Sequence, residues 1–461
     1  MKVSRLIGLA IAVMMLLSLG LAPAIAQDCD GEVIELEFMN WWGAAREALM
    51  DTLIGHFQEE NPCIRIINQV QPWDNRAELL ATAAASSNPP GIIMSTRPET
   101  YQFAISGLII PIDSFVEAHG TDLSVFYDGE IGLQYWNGEL YGLPMPTAGG
   151  LTSLYIYNKD MLREAGFDPE TPPATWQEME EISAAITVAD PMGVDVMGAQ
   201  VIGGIGDGDA SFVSWLYTNN GRYSSDDGRT LLFNSPEGIE TLEWMINFTN
   251  NINGGVENVT DFFQDTAFAQ GDHPWYDDQI AFLRINTSFY GHYNVNDPEG
   301  YADSSHWGTM LRPYNADNPD ATHAGTTGYN YSGAWAYTIP AVHSPEKQEA
   351  AFKFAEFIGV HPLGGCAFLF AQSRPSPVKE CNENPAYYEV NPTWSVVLEG
   401  LATDTAVSIT PVQGQLAEIL ANAIDEALFG EKSAADALND AHAEMQELLD
   451  EFWAEFDADN M

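Results

Sequence analysis

Val33-Ile34-Glu35-Leu36-Glu37-Phe38-Met39, then the stretch from Ala44 to Glu59, then Cys63 to Val70: these residues decide the architecture. The first and last are short apolar-rich runs that read as strands. Between them, Leu49, Leu53 and Phe57 recur at every fourth position, the spacing of a helix face turned toward a core. Outward along the chain, the pattern continues with a helix over Asn75 to Ala85, a short apolar strand over Gly91 to Met94, and a helical stretch ending at Gly107. Strands that alternate with helices predict parallel βαβ units in a doubly wound α/β sheet.

Helix boundaries are also marked further on. Thr175-Trp176-Gln177-Glu178 is a capping box, and Ser235-Pro236-Glu237 and Ser344-Pro345-Glu346 set a cap before a proline in the first turn. Leu438, Ala441, Met445, Leu448, Phe452 and Phe456 recur at threes and fours, which predicts an amphipathic closing helix packed against a lobe. There is no internal repeat. The loop-rich stretches Val201 to Asp209 and Asn315 to Tyr331 read as surface connections.

The chain opens with Met1-Lys2-Val3-Ser4-Arg5, an apolar run from Leu6 to Leu21, and Ala22-Pro23-Ala24-Ile25-Ala26-Gln27. A basic start, an apolar middle and an A-x-A site predict a secretory signal peptide over residues 1–26. An uncleaved anchor would need about 20 apolar residues and usually lacks the small-residue site. Cys29 follows Gln27-Asp28, which does not resemble a lipoprotein signal, so no lipid anchor is expected. The mature chain, about 435 residues, is then expected to be soluble, in the periplasm or outside the cell, and long enough for two domains.

Asp and Glu number 66 against 17 Lys and Arg, a formal charge of −49. Such a field repels nucleic acid and anionic membrane surfaces, and excludes them as partners. The acidic residues are spread along the chain and solvate its surface, a balance that also resembles proteins of saline surroundings. Four cysteines in an oxidising compartment, Cys29, Cys63, Cys366 and Cys381, allow three pairings on paper. Cys29 and Cys63 precede neighbouring strands and Cys366 and Cys381 flank one loop, so Cys29–Cys63 and Cys366–Cys381 is the favoured set. Zinc is the rival use, but no C-x-x-C occurs and the histidines are scattered.

The order of several further segments carries a resemblance. Asn40-Trp41-Trp42-Gly43 follows the opening strand, and Asn88-Pro89-Pro90-Gly91-Ile92-Ile93-Met94 leads to Gly107-Leu108-Ile109-Ile110-Pro111-Ile112-Asp113. Next come Asn137-Gly138-Glu139-Leu140-Tyr141-Gly142-Leu143-Pro144, Tyr155-Ile156-Tyr157-Asn158-Lys159-Asp160, and the Thr175 cap. Last is Ser344-Pro345-Glu346-Lys347-Gln348-Glu349-Ala350-Ala351 with Phe354 and Phe357. In this order, over nearly the whole mature chain, they resemble the family 1 extracellular solute-binding proteins of ABC importers, the group that includes maltose-binding protein. One departure is that His273-Pro274-Trp275-Tyr276 intervenes after Phe268-Ala269-Gln270-Gly271, before Gln279 to Asn286.

The resemblance implies two α/β lobes, each a mostly parallel sheet flanked by helices, joined by hinge strands that cross near Pro144 to Gly149, Gln279 to Asn286 and Trp335 to Ala341. The lobes would then take residues 27–147 and 281–338 (N-terminal) and 148–280 and 339–461 (C-terminal). It also implies a monomer that captures a sugar or oligosaccharide in the interlobe cleft and delivers it to an ABC permease. Pro146-Thr147-Ala148-Gly149-Gly150 and Tyr331-Ser332-Gly333-Ala334 are permissive enough to serve as hinges for closure on the ligand.

Ligands of open α/β sheets bind beyond the carboxyl ends of the strands. That nominates Asn40, Trp41 and Trp42 after the first strand, Trp73 and Asp74 after the second, and Thr96 and Arg97 after the third. With the family alignment, the rule adds Thr287 to Tyr290, hence Ser288, Phe289 and Tyr290, and Tyr329 to Trp335, including Tyr331 and Trp335. A sugar offers apolar faces to stacked aromatics and hydroxyl rims to amides, carboxylates and guanidinium groups. Core packing competes for every tryptophan, and Trp176, Trp244 and Trp453, inside helices, are expected in the core. Arg97 has Glu99 nearby as a competing ion-pair partner.

No G-x-S-x-G, H-E-x-x-H or Walker loop occurs, and Gly204-Ile205-Gly206-Asp207-Gly208 does not complete a nucleotide fingerprint. Asp207-Gly208-Asp209 resembles part of a calcium loop without its downstream glutamate. No catalytic residue, metal site or cofactor is expected. The rival readings are a binder of a polyamine, held by carboxylates and an aromatic cage, a binder of a glycerol-phosphate-type solute, and an exported carbohydrate-active enzyme.

Overall fold

The computed structural model describes residues 29, 32–43, 45–72, 76–84, 86–146, 154–190, 192–286, 288–329 and 335–459. The expected signal peptide, and both stretches expected to act as hinges apart from Pro146, lie outside them.

Nine strands build two main sheets: β1 (Ile34–Asn40), β2 (Ile64–Val70), β3 (Ile92–Ser95), β4 (Leu154–Asn158), β5 (Val188–Asp190), β6 (Gly193–Ala199), β7 (Ile280–Arg284), β8 (Trp307–Leu311) and β9 (Ala336–Thr338). The first sheet has the order β9-β3-β1-β2 and the second β8-β4-β7-β6-β5. In the first, β1 runs parallel to β2 in continuous register from Ile34↔Ile64 to Asn40↔Val70, and β3 is parallel to β1. That is the expected βαβ alternation, closed by an antiparallel β9.

The second sheet departs from the mostly parallel expectation. Only β6 and β7 pair in parallel; β8–β4, β4–β7 and β5–β6 are antiparallel. The stretch near 279–286 differs too. Its Ile280-Ala281-Phe282-Leu283 run is fully buried and lies between β4 and β6, so it is an interior strand of the second sheet and no return to the first. Residues 281–311 therefore stay with the second sheet, and the first is rejoined at β9.

Helix Pro345–Gly359, expected in the C-terminal lobe, packs on β1 and on helix Ala45–Glu60. Phe354 lies 5.2 Å from Phe38 and 5.1 Å from Phe57, and Lys347 Nζ meets Glu37 Oε2 at 3.0 Å. The apolar face with Phe354 and Phe357 thus completes the first core. Helices Gln413–Leu428 and Ala434–Asp459 pack together and against Pro236–Asn251, in the second lobe. Of the expected amphipathic face Leu438, Ala441 and Met445 are buried, while Leu448, Phe452 and Phe456 are only partly buried and Leu449, outside that stripe, is buried instead.

Local signals act as read. The Thr175–Glu178 capping box forms, and Ser235 and Ser344 accept from Gly238 N and Lys347 N. Trp176 is buried as expected and stacks on Trp244 at 4.2 Å, whereas Trp244 and Trp453 are only partly buried, Trp453 stacking on Trp136 at 5.9 Å. Both disulfides follow the sequential pairing, with Cα–Cα separations of 5.4 Å for Cys29–Cys63 and 5.0 Å for Cys366–Cys381. Among the described residues no helix is long and apolar enough to cross a membrane.

Candidate functional site

At the carboxyl end of β1 the chain turns on Asn40. Its Nδ2 donates to Phe38 O at 3.1 Å and to Asn68 Oδ1 at 2.7 Å, and its Oδ1 accepts from Trp42 N at 3.0 Å. The amide is consumed in shaping this corner. Trp42 is thereby directed inward, where Nε1 donates to Tyr337 Oη on β9 at 2.9 Å and the ring meets Phe368 edge-on at 5.1 Å.

Two guanidinium groups lie against this indole, Arg46 at 5.5 Å and Arg374 at 5.9 Å from the ring centroid. Arg46 comes from the first turn of helix Ala45–Glu60 and donates to Gly43 O and Trp41 O at 3.3 and 3.4 Å. Arg374 follows the π-helical segment Pro362–Phe368, which packs on helices Ala45–Glu60 and Pro345–Gly359. Its Nε is buried without a hydrogen-bond partner, as is Trp41 Nε1. Burial first, and the charge of Arg46 second, push Arg374 down to about 10.

The opposing lobe contributes His292, on helix Ser288–Asn296 beyond the carboxyl end of β7. Burial, then the charges of Arg374 and Arg46, push it down to about 4, so it is neutral near pH 7. The two walls touch: a Cβ at Gly291 would collide with the Gln372 carbonyl oxygen, so only glycine lets this helix approach the turn that carries Arg374. A buried indole, three nitrogen-rich side chains and elements of both sheets therefore converge at one place.

The family model for bacterial extracellular solute-binding proteins matches residues 52–392. The chain belongs to that family. Among curated relatives, this solute-binding protein is 29% identical over 183 residues to the sn-glycerol-3-phosphate-binding periplasmic protein of Salmonella typhimurium, covering 37% of this chain and 40% of that one. It is 22% identical over 246 residues to the arabinooligosaccharide-binding protein of Bacillus subtilis, covering 52% and 54%. The matches span 40% and 54% of those relatives' lengths. The solved ABC transporter solute-binding protein of Thermotoga lettingae, bound with α-D-tagatose, superposes with a TM-score of 0.72 at 20% identity, over 91% of this chain and 100% of that one.

Other nominated residues of this solute-binding protein lie elsewhere or are committed to the fold. Thr96 caps helix Arg97–Ile105 in a box with Glu99, whose Oε2 accepts from Thr96 N at 2.8 Å. Arg97 spends its guanidinium on Tyr101 Oη, Gly328 O and Val407 O at 2.6, 3.2 and 2.5 Å, which ties two loops together in place of an ion pair with Glu99. Tyr290 is buried with its hydroxyl 3.0 Å from Thr309 Oγ1, and Phe289 stacks on Phe268 at 4.1 Å. Ser288 N donates to Asn286 Oδ1 at 2.9 Å, and Trp335 is buried beside β9. Trp73, Asp74, Thr287 and Tyr331 lie outside the described residues.

The suspected calcium loop is differently employed. Asp207 Oδ2 pairs with Arg284 Nη2 at 2.9 Å, and Asp209 is half-buried beside Tyr329. Among the described residues no group of three or more His, Cys, Asp or Glu is placed to hold a metal. A groove of about 570 Å³ lined by Asn158, Arg163, Val196 and Asp278 opens at the opposite end of the second sheet from His292.

Arg46, His292 and Arg374 were not nominated by the sequence. Arg46 is four residues past Trp42 and was legible as one of few arginines beside a strand end. The other two reach the site through tertiary packing, which no local pattern announces.

Proposed function

We propose that this chain is the substrate-binding component of an ABC importer, that it takes a sugar or oligosaccharide between its lobes, and that it passes the ligand to a membrane permease. The observation that carries this reading is the convergence of Arg46 and Arg374 on the Trp42 indole, next to the helix that carries His292, where elements of the two sheets abut. The hydroxyl rim of a sugar is met by side-chain donors of this kind. Family membership supports it, as do the tagatose held by the Thermotoga lettingae protein and the arabinooligosaccharide-binding role of the Bacillus subtilis relative.

The protein acts as a monomer in the periplasm or outside the cell, delivered there by the signal segment, with no nucleic acid as partner at a charge of −49. It binds without turnover. Two lobes divide the chain, the first built around β1–β3 and β9 and the second around β4–β8.

Calorimetric titration of the mature protein with neutral and charged mono- and oligosaccharides, followed by chromatography of the recovered ligand, tests this. Saturable binding with ligand returned intact is the expected result. Appearance of shorter saccharides in proportion to protein would assign the chain to the enzymes.

A further inference from the structure

We propose that Arg46, Arg374 and His292 form an anion-binding subsite in the cleft, so that the carbohydrate captured here carries a carboxylate or phosphate group. This rests on the sugar-binding reading above.

The argument begins with scarcity. With 66 acidic residues for 17 basic ones, a cation in this chain is surrounded by potential partners. Arg65, Lys159, Arg229, Arg284 and Lys347 each have a carboxylate oxygen within 3.2 Å. Among the described residues Arg46 and Arg374 have none within ion-pair reach; Arg97 and Arg222 also have none, but Arg97 is satisfied by Tyr101, Gly328 and Val407 and Arg222 lies over Tyr217, whereas Arg46 and Arg374 share one indole and repel each other. Arg46 and Arg374 are both half-buried, and withdrawing a guanidinium from water without a counter-charge is costly, two together more so. Arg46 recovers part of that cost through the carbonyls of Gly43 and Trp41, while Arg374 Nε has no acceptor at all.

An arrangement that is unfavourable when empty is relieved by an anionic occupant. A planar carboxylate or a phosphate accepts two parallel bonds from one guanidinium, geometry that sugar hydroxyls do not offer as well. His292, neutral, supplies an N–H from the second lobe without adding a third charge, on the helix whose Gly291 abuts the Gln372 carbonyl beside Arg374. An anion joining Arg374 to His292 would also bridge the lobes. The overall negative charge opposes this only at long range, since salt screens exposed charges within about 10 Å at 0.1 M.

The test pairs neutral and charged probes on the full mature protein: glucose with glucuronate and glucose 6-phosphate, maltose with digalacturonate, and sn-glycerol 3-phosphate and citrate as anions without a sugar ring. The expected result is at least ten-fold tighter binding of a charged sugar than of its neutral counterpart. The uronate and phosphate arms tell which anion is preferred. Arg374→Gln should erase that preference, Arg374→Lys should keep part of it, and Arg46→Gln should weaken it. The empty Arg374→Gln protein should melt no lower than wild type, because the lost charge leaves no partner behind.

Equal affinity for neutral and charged sugars, or a preference that survives Arg374→Gln, would overturn the subsite and leave the sugar reading standing. Binding of glycerol phosphate or citrate with no sugar bound would uphold the subsite and remove the sugar reading. An empty Arg374→Gln protein that melts several degrees lower would make Arg374 a structural residue and overturn the proposal, as would binding of none of the probes.

Discussion

Only 2% of Trp42 is exposed, and its indole N–H is already donated to Tyr337, so this side chain supports the first lobe before it touches any ligand. Trp42→Ala is expected to cost about 3–5 kcal/mol of stability, read from the urea midpoint; a loss below 1 kcal/mol would place the ring at the surface of the cleft. Asp209 yields a second expectation at this scale. Burial first, then the charge of Asp207, raises its carboxyl to about 6. The native state therefore keeps a proton that the unfolded chain gives up near pH 4. Stability from this group is fully present below pH 4 and is lost as pH rises through 6. Asp209→Asn should flatten the decline of unfolding free energy between pH 4 and 7 by up to about 3 kcal/mol, followed by urea unfolding at stepped pH; an unchanged difference from wild type across that range would refute the shift. The strand-end rule led to Asn40, Trp41 and Trp42 because those residues adjoin a readable strand. Arg374 was not legible, because its neighbours in sequence, Ser373 and Pro375, say nothing of an indole more than 300 positions away.

At the scale of elements, the two disulfides fasten what the sheets do not. Cys29–Cys63 joins the entry of β1 to the entry of β2, where Ile34 N also donates to Cys63 O at 2.9 Å. Cys366–Cys381 anchors the π-helical segment that presents Arg374. The sequence separations are 34 and 15 residues, and loop closure of these sizes implies about 3–4 and about 3 kcal/mol respectively. Replacing either pair by serine should lower the urea midpoint accordingly. Only loss of the second bond should also weaken binding, because that bond positions Arg374; equal effects on ligand affinity would contradict this division. The first lobe was legible because parallel strands separated by helices leave a period that changes between two and 3.6 along the chain. The second was legible only in part. A buried run such as Ile280 to Leu283 announces a strand but not its direction or its sheet, so β7 was assigned to a crossing when it is an interior strand.

At the scale of the whole molecule, elements of two sheets meet around Trp42, Arg374 and His292, and a ligand bound at the proposed subsite would contact both. Only a ligand with different contacts in the open and closed arrangements can shift the balance between them. A saccharide touching Arg46 and Arg374 from one side and His292 from the other satisfies that condition. Closure would give a permease one geometry for the loaded protein and another for the empty one. Small-angle scattering of the mature protein, without ligand and at saturation with the tightest probe of the sugar panel, measures this directly. A smaller radius of gyration and a shorter maximum dimension on binding are the predicted result, and an unchanged radius and pair-distance profile at saturation would contradict capture by closure between the lobes.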